Sequence, residues 1–201
     1  MRVYNTHDLI PVNALTGMRL SRNKHTVSPY TDSRFVDFEN ITLDDLTLMF
    51  KLIVRGSSHR KFLRMCNIYT YVDAPLFWWK HLDTYKHVVN LSDSTMFCIG
   101  DRVEFTQEDF EDDIPDTILH ELNSMLYDLK SGGSGQCLQH KRRLFNALPG
   151  GYLSTRSINF NYETFITIIQ QRRKHMLDEW VKFIYGICHK LKMADYIFNL
   201  I

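Results

Sequence analysis

The chain has 201 residues, of which 44% are apolar and 13% aromatic, and its formal net charge is +1. This size and apolar content predict one domain over residues 1–201 and exclude a disordered chain. The near-balanced charge argues against a partner that is a DNA or RNA polymer, because such proteins need excess positive charge to displace counterions. No segment has the length and apolar character of a membrane span or a signal peptide, so we expect a cytoplasmic protein with reduced cysteines and no membrane partner.

The first part of the chain predicts an irregular arm, a helix and a strand. Residues 1–40 are polar and interrupted by proline and glycine, which is typical of an irregular N-terminal arm. A helix is predicted from about Thr42 to Arg55, because Thr42 can cap it and apolar residues recur on one face. Gly56 is suited to the position after its end. Residues 66–72 are rich in β-forming side chains and predict a strand.

The middle of the chain predicts two more helices separated by polar segments. Pro75 opens one helix, since proline is tolerated in a first turn. Segment 87–97 is rich in serine and is predicted to be a loop followed by a strand. Residues 115–130 carry a strong apolar repeat and predict a long helix. Residues 131–135, with the sequence SGGSG, predict a flexible surface loop.

The C-terminal third predicts a helix before Pro149, a strand over 153–161, and one last long helix from about Tyr162 to Lys190. Helices therefore dominate, with a few strands between them. We predict the α/β (α+β) class. The sequence contains neither a phosphate-binding glycine motif nor a G-x-S-x-G nor an H-E-x-x-H motif, so it predicts no catalytic set and no metal site.

Flat rings, a cation and hydroxyl-bearing side chains lie close together in the segment 77–96. Rings can stack on a base, lysine can neutralise a phosphate, and short polar side chains can bond to sugar or phosphate oxygens. The alternative is a pair of tryptophans in the core followed by a solvated loop. The candidate nucleotide-binding residues of this segment are Trp78, Trp79, Tyr85, Lys86, Asn90, Ser92, Ser94 and Thr95.

A second candidate segment lies in the predicted last helix, where three consecutive cations stand at 172–174. Arg172 is three or four residues from apolar positions of the helix, so its side chain needs a carboxylate or a bound anion. The alternative to a ligand is a salt bridge to Asp178, to Glu179 or to an acid of the segment 101–121. The candidate nucleotide-binding residues here are Asn161, Arg172 and Arg173.

Together these two segments resemble the flavin-dependent thymidylate synthases, in the divergent form seen among phage proteins. The signature of that family is R-H-R-x-x-S-x-N-E-x-S-x-R-Y, and residues 84–97 of this chain read TYKHVVNLSDSTMF. By this resemblance Ser94 matches a nucleotide-contacting serine, and Lys86 replaces the second arginine. Arg172 matches a substrate-contacting arginine, Asn161 matches the asparagine that opens the last helix, and Pro149 belongs to the family's "LP" turn.

The departures from the signature concern the residues that hold flavin and deoxyuridylate in that family. Thr84 and Tyr85 replace the first arginine and the histidine, Ser92 replaces the glutamate, and Met96 replaces the last arginine. Phe145 stands where the family has an arginine four residues before the proline of the "LP" turn. Loss of several charge-assisted bonds indicates a chain that keeps the fold and has lost the chemistry.

The resemblance implies a fold of thymidylate-synthase-complementing type, with helices packed on a small mixed sheet, and a homotetramer with nucleotide pockets. Our first hypothesis is a non-catalytic protein without a cofactor that binds a small nucleotide. A phage protein of this kind would sequester a signal of host defence, such as a cyclic dinucleotide, in the host cytoplasm. The second hypothesis is an active flavin enzyme that uses FAD and acts on a pyrimidine deoxynucleotide. The third is a structural or interaction protein.

Overall fold

The computed structural model describes residues 1–22, 29–30, 33–93, 98–132 and 137–201. This described part is a mixed α+β protein with eight α-helices and one four-stranded sheet, which confirms the predicted class. The strands are β1 (Arg2–Leu9), β2 (Asn67–Pro75), β3 (Val89–Ser92) and β4 (Leu153–Asn161). The helices are α1 (Val12–Leu20), α2 (Leu43–Val54), α3 (Leu76–Leu82), α4 (Asp116–Ser131), α5 (Cys137–Ala147), α6 (Tyr162–Arg172), α7 (Asp178–Cys188) and α8 (Lys192–Leu200).

The sheet has the strand order β1-β2-β4-β3 and is antiparallel, where the family resemblance implied a mixed sheet. Two backbone hydrogen bonds, one just beyond each end of the β2–β4 pair, show the register of these two strands. The amide of Leu76 donates to the carbonyl of Tyr152 at 3.1 Å, and the amide of Tyr162 donates to the carbonyl of Cys66 at 3.0 Å. The sequence pattern does not show whether neighbouring strands are parallel or antiparallel, because side chains alternate with the same period in both kinds of sheet.

Helix α2 forms where the sequence predicted it. The side chain of Thr42 accepts a hydrogen bond from the amide of Asp45 at 3.4 Å, which caps the first turn. Asp44 and Asp45 lie in that turn, at the positive end of the helix dipole. Gly56 follows the helix with a φ of 98°, a left-handed conformation that glycine adopts without strain.

The N-terminal region is more regular than predicted, because residues within 1–40 form β1 and α1. Strand β1 is an edge strand, and no clean alternation of exposed and buried residues marks it. It is held by pairing with β2, where the hydroxyls of Thr6 and Thr70 lie 2.7 Å apart. The expectation of an irregular arm was therefore wrong for these residues, since the stabilising partner is distant in the chain.

The predicted last helix, from about Tyr162 to Lys190, is two helices, α6 and α7, and a further helix that was not predicted, α8, follows them. The break between the first two falls after Arg172. The Nδ1 atom of His175 accepts the amide of Leu177 at 3.1 Å, and Met176 is 89% exposed rather than part of the apolar stripe. Asp178 and Glu179 then occupy the first turn of α7, where carboxylates are favoured by the helix dipole.

The chain divides into two compact units, and β2 and β4 each contribute residues to both. The first unit comprises Met1, residues 72–84 and residues 91–156. Its core is a cluster of eight buried side chains: Ile99, Phe105, Phe110, Leu122, Leu126, Leu129, Leu144 and Tyr152. The single-domain assignment over 1–201 stays a prediction.

The second unit comprises residues 2–71, 85–90 and 157–201. Helices α6, α7 and α8 all belong to it, and each places apolar side chains in its core. Its largest fully buried side chains include Trp180, Tyr162, Phe160, Phe165 and Phe183. Within the described ranges, no helix is both long enough and apolar enough to cross a membrane.

Candidate functional site

Arg172 is the last residue of α6, and its side chain is held by two aromatic residues of the second unit. Its Nε atom donates a hydrogen bond to the hydroxyl of Tyr85 at 3.0 Å. Its Cζ atom lies 5.0 Å from the centre of the Trp180 ring and 5.9 Å from the centre of the Tyr85 ring. The guanidinium is therefore fixed by one directional bond and by two contacts of the cation–π type.

Tyr85 is itself anchored by a second hydrogen bond and by a ring contact. Its hydroxyl donates to the Oε1 atom of Gln171 at 2.9 Å. Its ring meets the Trp180 ring at a centre-to-centre distance of 5.9 Å and an interplanar angle of 62°. Trp180 is fully buried, so this edge-on contact ties Tyr85 to the core of the second unit.

Arg172 is half-buried, yet no carboxylate among the described residues lies within ion-pair distance of it. The predicted alternative, a salt bridge to Asp178 or Glu179, is therefore wrong. Glu179 is 7% exposed, and its Oε2 atom has no hydrogen-bond partner in the part of the chain that is described. The charge of Arg172 is stabilised by neutral groups, which leaves it able to attract an anion.

Trp78 and Trp79, which were predicted to stack on a base, are both 0% exposed. The Nε1 atom of Trp79 donates to the carbonyl oxygens of Ala74 at 2.9 Å and Ser154 at 3.1 Å. The two indoles also contact each other edge to face, with centres 5.0 Å apart. Neither ring presents a face to a ligand, so we correct their assignment to that of core residues.

A second arginine–tryptophan contact lies in the first unit. The Cζ atom of Arg156 lies 4.4 Å from the centre of the Trp79 ring. Its Nη1 atom bonds to both carboxylate oxygens of Asp83, at 3.1 Å and 3.3 Å. This arginine already has an anionic partner within the fold.

The other predicted residues are placed in different ways. Asn161 is the N-cap of α6, and its Oδ1 atom accepts from the amide of Thr164 at 2.9 Å. Lys86 and Arg173 are exposed cations, Asn90 is half-buried on β3 and Ser92 is exposed there. The predicted residues Ser94 and Thr95 lie outside the described residues. The structure thus brings Tyr85 and Arg172 together, while a binding role for the remaining residues stays a prediction.

Gln171 and Trp180 complete the Arg172 site, although neither was among the predicted binding residues. Gln171 stands beside Arg172 in the sequence, but its bond to Tyr85 joins positions 86 residues apart. No spacing rule connects residues at that separation. The helical pattern predicts that a tryptophan at the start of α7 is a core residue. Its contact with the guanidinium of Arg172 depends on the break between α6 and α7, which the sequence did not predict.

The half-buried carboxyl of Asp8, elsewhere in the second unit, is a further unusual group. The hydroxyl of Tyr162 donates a hydrogen bond to Asp8. Burial raises the pKa of Asp8 above its usual range, and the nearby charge of Asp37 acts in the same direction. Burial and the neighbouring Asp8 also raise the pKa of Tyr162 well above its ordinary value. In both groups burial disfavours the charged form, and for Asp8 the hydrogen bond from Tyr162 acts in the opposite direction.

Cys66, Cys98 and Cys188 are free cysteines, and two of them are poor nucleophiles. Burial raises the pKa of Cys66 and of Cys188 to about 12, so both remain protonated thiols at neutral pH. Cys98 is exposed. Within the described ranges, no group of three or more His, Cys, Asp or Glu side chains could hold a metal ion.

The fold is similar to that of flavin-dependent thymidylate synthases in solved structures. One is ThyX of Helicobacter pylori complexed with FAD and dUMP, with a TM-score of 0.70, 13% identity and 98% coverage of both chains. Another structure of ThyX from Helicobacter pylori with FAD and dUMP has a TM-score of 0.68 and 14% identity, covering 98% of this chain and 97% of that one. This likeness shows the fold at full length.

Comparison at the level of sequence finds no match. No family model matches the chain, and no curated protein matches it. The similarity therefore lies in the backbone arrangement, which persists at sequence identities where activity is no longer implied.

Proposed function

We propose that this chain is a nucleotide-binding flavin enzyme of the thymidylate synthase type, with a pyrimidine deoxynucleotide as its substrate. The observation that carries the proposal is the state of Arg172. Its guanidinium is half-buried, it is held by Tyr85 and Trp180, and it lacks a carboxylate partner among the described residues. A cation in such surroundings gains most from an anionic ligand.

The geometry suits a phosphate. The Nε atom of Arg172 is engaged by Tyr85, which leaves the two Nη atoms as a planar pair of donors. Arginine uses this fork to bind phosphate oxygens in a bidentate manner. Lys86 and Arg173 are exposed and supply further positive charge in the same two sequence segments.

The structural neighbours support this choice over a protein without a cofactor. Both Helicobacter pylori structures contain FAD together with dUMP, and this chain has their fold over nearly its whole length. A flavin supplies hydride transfer when it is bound. The expectation that this chain uses no cofactor finds no support in these neighbours.

The residues present fit the anionic part of a flavin nucleotide. Lys86 and Arg173 are exposed cations of the second unit, and their side chains can pair with phosphate oxygens. These groups would hold FAD through its phosphates, and Arg172 would hold the phosphate of the substrate. In this proposal the chain's contribution is to bind and orient both ligands.

Nucleotide sequestration without catalysis is the second candidate. It is favoured by positions 84, 85 and 92, which carry Thr, Tyr and Ser where the resemblance requires Arg, His and Glu. The hydroxyl of Tyr85 is also committed, since it bonds to both Arg172 and Gln171. Such a protein would bind a nucleotide signal, for example a cyclic dinucleotide of host defence, and would act without a flavin.

The test is to purify the protein, record its visible absorption, and titrate it calorimetrically with FAD, dUMP, deoxyuridine and a cyclic dinucleotide. Binding of FAD and dUMP, with deoxyuridine much weaker, is the expected result. Binding of a nucleotide without any affinity for FAD would support sequestration instead. No affinity for any of these ligands or for a cyclic dinucleotide would refute both candidates. The predicted homotetramer is tested in the same preparation by light scattering.

A further inference from the structure

A continuous hydrogen-bonded relay runs from Gln171 through Tyr85 to Arg172. Each of its bonds has a defined direction. The Nε–H of Arg172 donates to the hydroxyl oxygen of Tyr85 at 3.0 Å, and that hydroxyl donates its own proton to Oε1 of Gln171 at 2.9 Å. The tyrosine hydroxyl thus accepts from Arg172 and donates to Gln171, and these two partners are adjacent in the sequence.

We propose that Tyr85 and Gln171 are positioning residues that hold the Arg172 guanidinium ready for a phosphate-bearing ligand. This inference rests on the proposed function. The acceptor on Gln171 determines where the Tyr85 proton points, and that orientation turns a lone pair of the hydroxyl toward Nε of Arg172. Without the acceptor, the hydroxyl rotates freely and the bond to the arginine loses its fixed direction.

The plane of the guanidinium is controlled by Trp180. This ring is fully buried, and it lies 5.0 Å from Cζ of Arg172. Contact with the ring limits tilting, while the bond from Nε limits rotation about the end of the side chain. An arginine ordered before binding loses less conformational entropy when a ligand arrives, and this increases affinity.

A purely structural role for the same contacts is the competing interpretation. Arg172 ends α6, where a cation is favoured by the helix dipole, and its packing on Trp180 also stabilises the fold. A structural role and a positioning role differ in one measurable respect. Positioning predicts a loss that depends on the phosphate of the ligand, whereas a fold defect weakens every ligand alike.

The first experiment compares Tyr85→Phe, Gln171→Leu and the matched control Gln170→Leu. Gln170 is exposed and precedes Gln171 on α6, so its replacement changes the same kind of side chain outside the relay. With dUMP we expect affinity to fall about 5- to 10-fold for Tyr85→Phe and about 2- to 5-fold for Gln171→Leu, which is the range for loss of one hydrogen bond of typical net strength. Deoxyuridine affinity and the Gln170→Leu variant should be unchanged.

The second experiment needs no nucleotide. In the ¹H–¹⁵N spectrum of arginine side chains, the Nε–H of Arg172, identified by its absence in Arg172→Lys, should exchange slowly with water. Tyr85→Phe should remove this protection, and Gln171→Leu should reduce it. Unchanged protection in Tyr85→Phe would overturn the relay, and equal losses for dUMP and deoxyuridine would overturn the positioning role. Intact protection in a wild-type protein that binds no nucleotide would instead refute the proposed function while retaining the relay.

Discussion

Among the described residues, Arg156 and Arg172 each lie over a buried tryptophan, and they differ in the group that binds the guanidinium. Arg156 in the first unit contacts Trp79 and bonds to the carboxylate of Asp83. Arg172 in the second unit contacts Trp180 and bonds to the uncharged hydroxyl of Tyr85. The ring contacts are alike, at 4.4 Å and 5.0 Å, so the ring does not distinguish the two sites.

The partner of the guanidinium makes the difference. A carboxylate satisfies the charge of Arg156 within the fold, and a ligand would have to compete with it. A hydroxyl orients Arg172 but leaves its charge uncompensated by any described acid. An arginine over a ring is therefore a candidate ligand site only where its charge has no internal partner.

The largest expected effect is loss of stability in Trp79→Ala. The side chain is fully buried and donates to two backbone carbonyls, both of which would lose a partner. Replacing a buried Trp by Ala costs about 3–5 kcal/mol of the free energy of unfolding, to be measured in urea. Trp79→Phe keeps part of the volume and should cost less. If Trp79→Ala lost nucleotide binding without losing stability, Trp79 would be a ligand-binding residue and not a core residue.

The comparison itself is tested by Arg172→Ala and Arg156→Ala. Arg172→Ala should weaken dUMP binding by about 1.5–3 kcal/mol, because charge-assisted bonds to the phosphate disappear. Arg156→Ala should leave the affinity unchanged and lower thermal stability slightly. Arg55→Ala is the matched control, since Arg55 is an exposed arginine at the C-terminal end of α2. Equal effects on dUMP binding in all three variants would contradict the distinction.

Asp8 resembles Arg172 in one respect, since its side chain is also hydrogen-bonded to a tyrosine, Tyr162. Its pKa is raised by burial from an ordinary value of 3.8, so the folded protein holds this proton to higher pH than the unfolded chain. Its contribution to stability is therefore present below the unfolded pKa and lost as the pH rises through the folded pKa.

The corresponding measurement is the free energy of unfolding of wild type and Asp8→Asn between pH 4 and pH 7. The variant should gain stability relative to wild type as the pH rises, because it carries no carboxylate to ionise. A difference that stays constant across this range would show that the carboxyl of Asp8 titrates normally in the folded protein.

The smallest effect is expected for Asp83→Asn. The Asp83 side chain is 45% exposed, so its pair with Arg156 is screened by solvent and should contribute about 0.2–1 kcal/mol. A double-mutant cycle with Arg156→Ala measures this coupling, which should decrease at high salt. A coupling well above this range would mean that the pair is less screened by solvent than the exposure of Asp83 indicates.

The elements with strong local signals were predictable from the sequence. The Thr42 cap and the glycine after α2 mark that helix at both ends, and the predicted strand 153–161 has the bounds of β4. Strand β1 and the break after Arg172 were not predictable. Strand β1 depends on pairing with β2. The break after Arg172 lies within a run of residues that are all compatible with a helix.

The candidate site divides in the same way. The sequence singled out Arg172 and Tyr85, because a cation beside apolar positions and a ring among polar groups are locally unusual. It also singled out Trp78 and Trp79, which the structure buries completely. Composition cannot separate a ring that packs in the core from a ring that meets a ligand, since both are large and apolar.

By itself the sequence determined the fold class, the positions of most helices and the need of Arg172 for a partner, because each follows from residues within a few turns of one another. The tertiary structure alone decided which partner that is. Tyr85 and Arg172 are 87 residues apart, and their contact depends on where two separate segments of the second unit pack. Packing of distant segments is what made this arginine, and not Arg156, free for an anion.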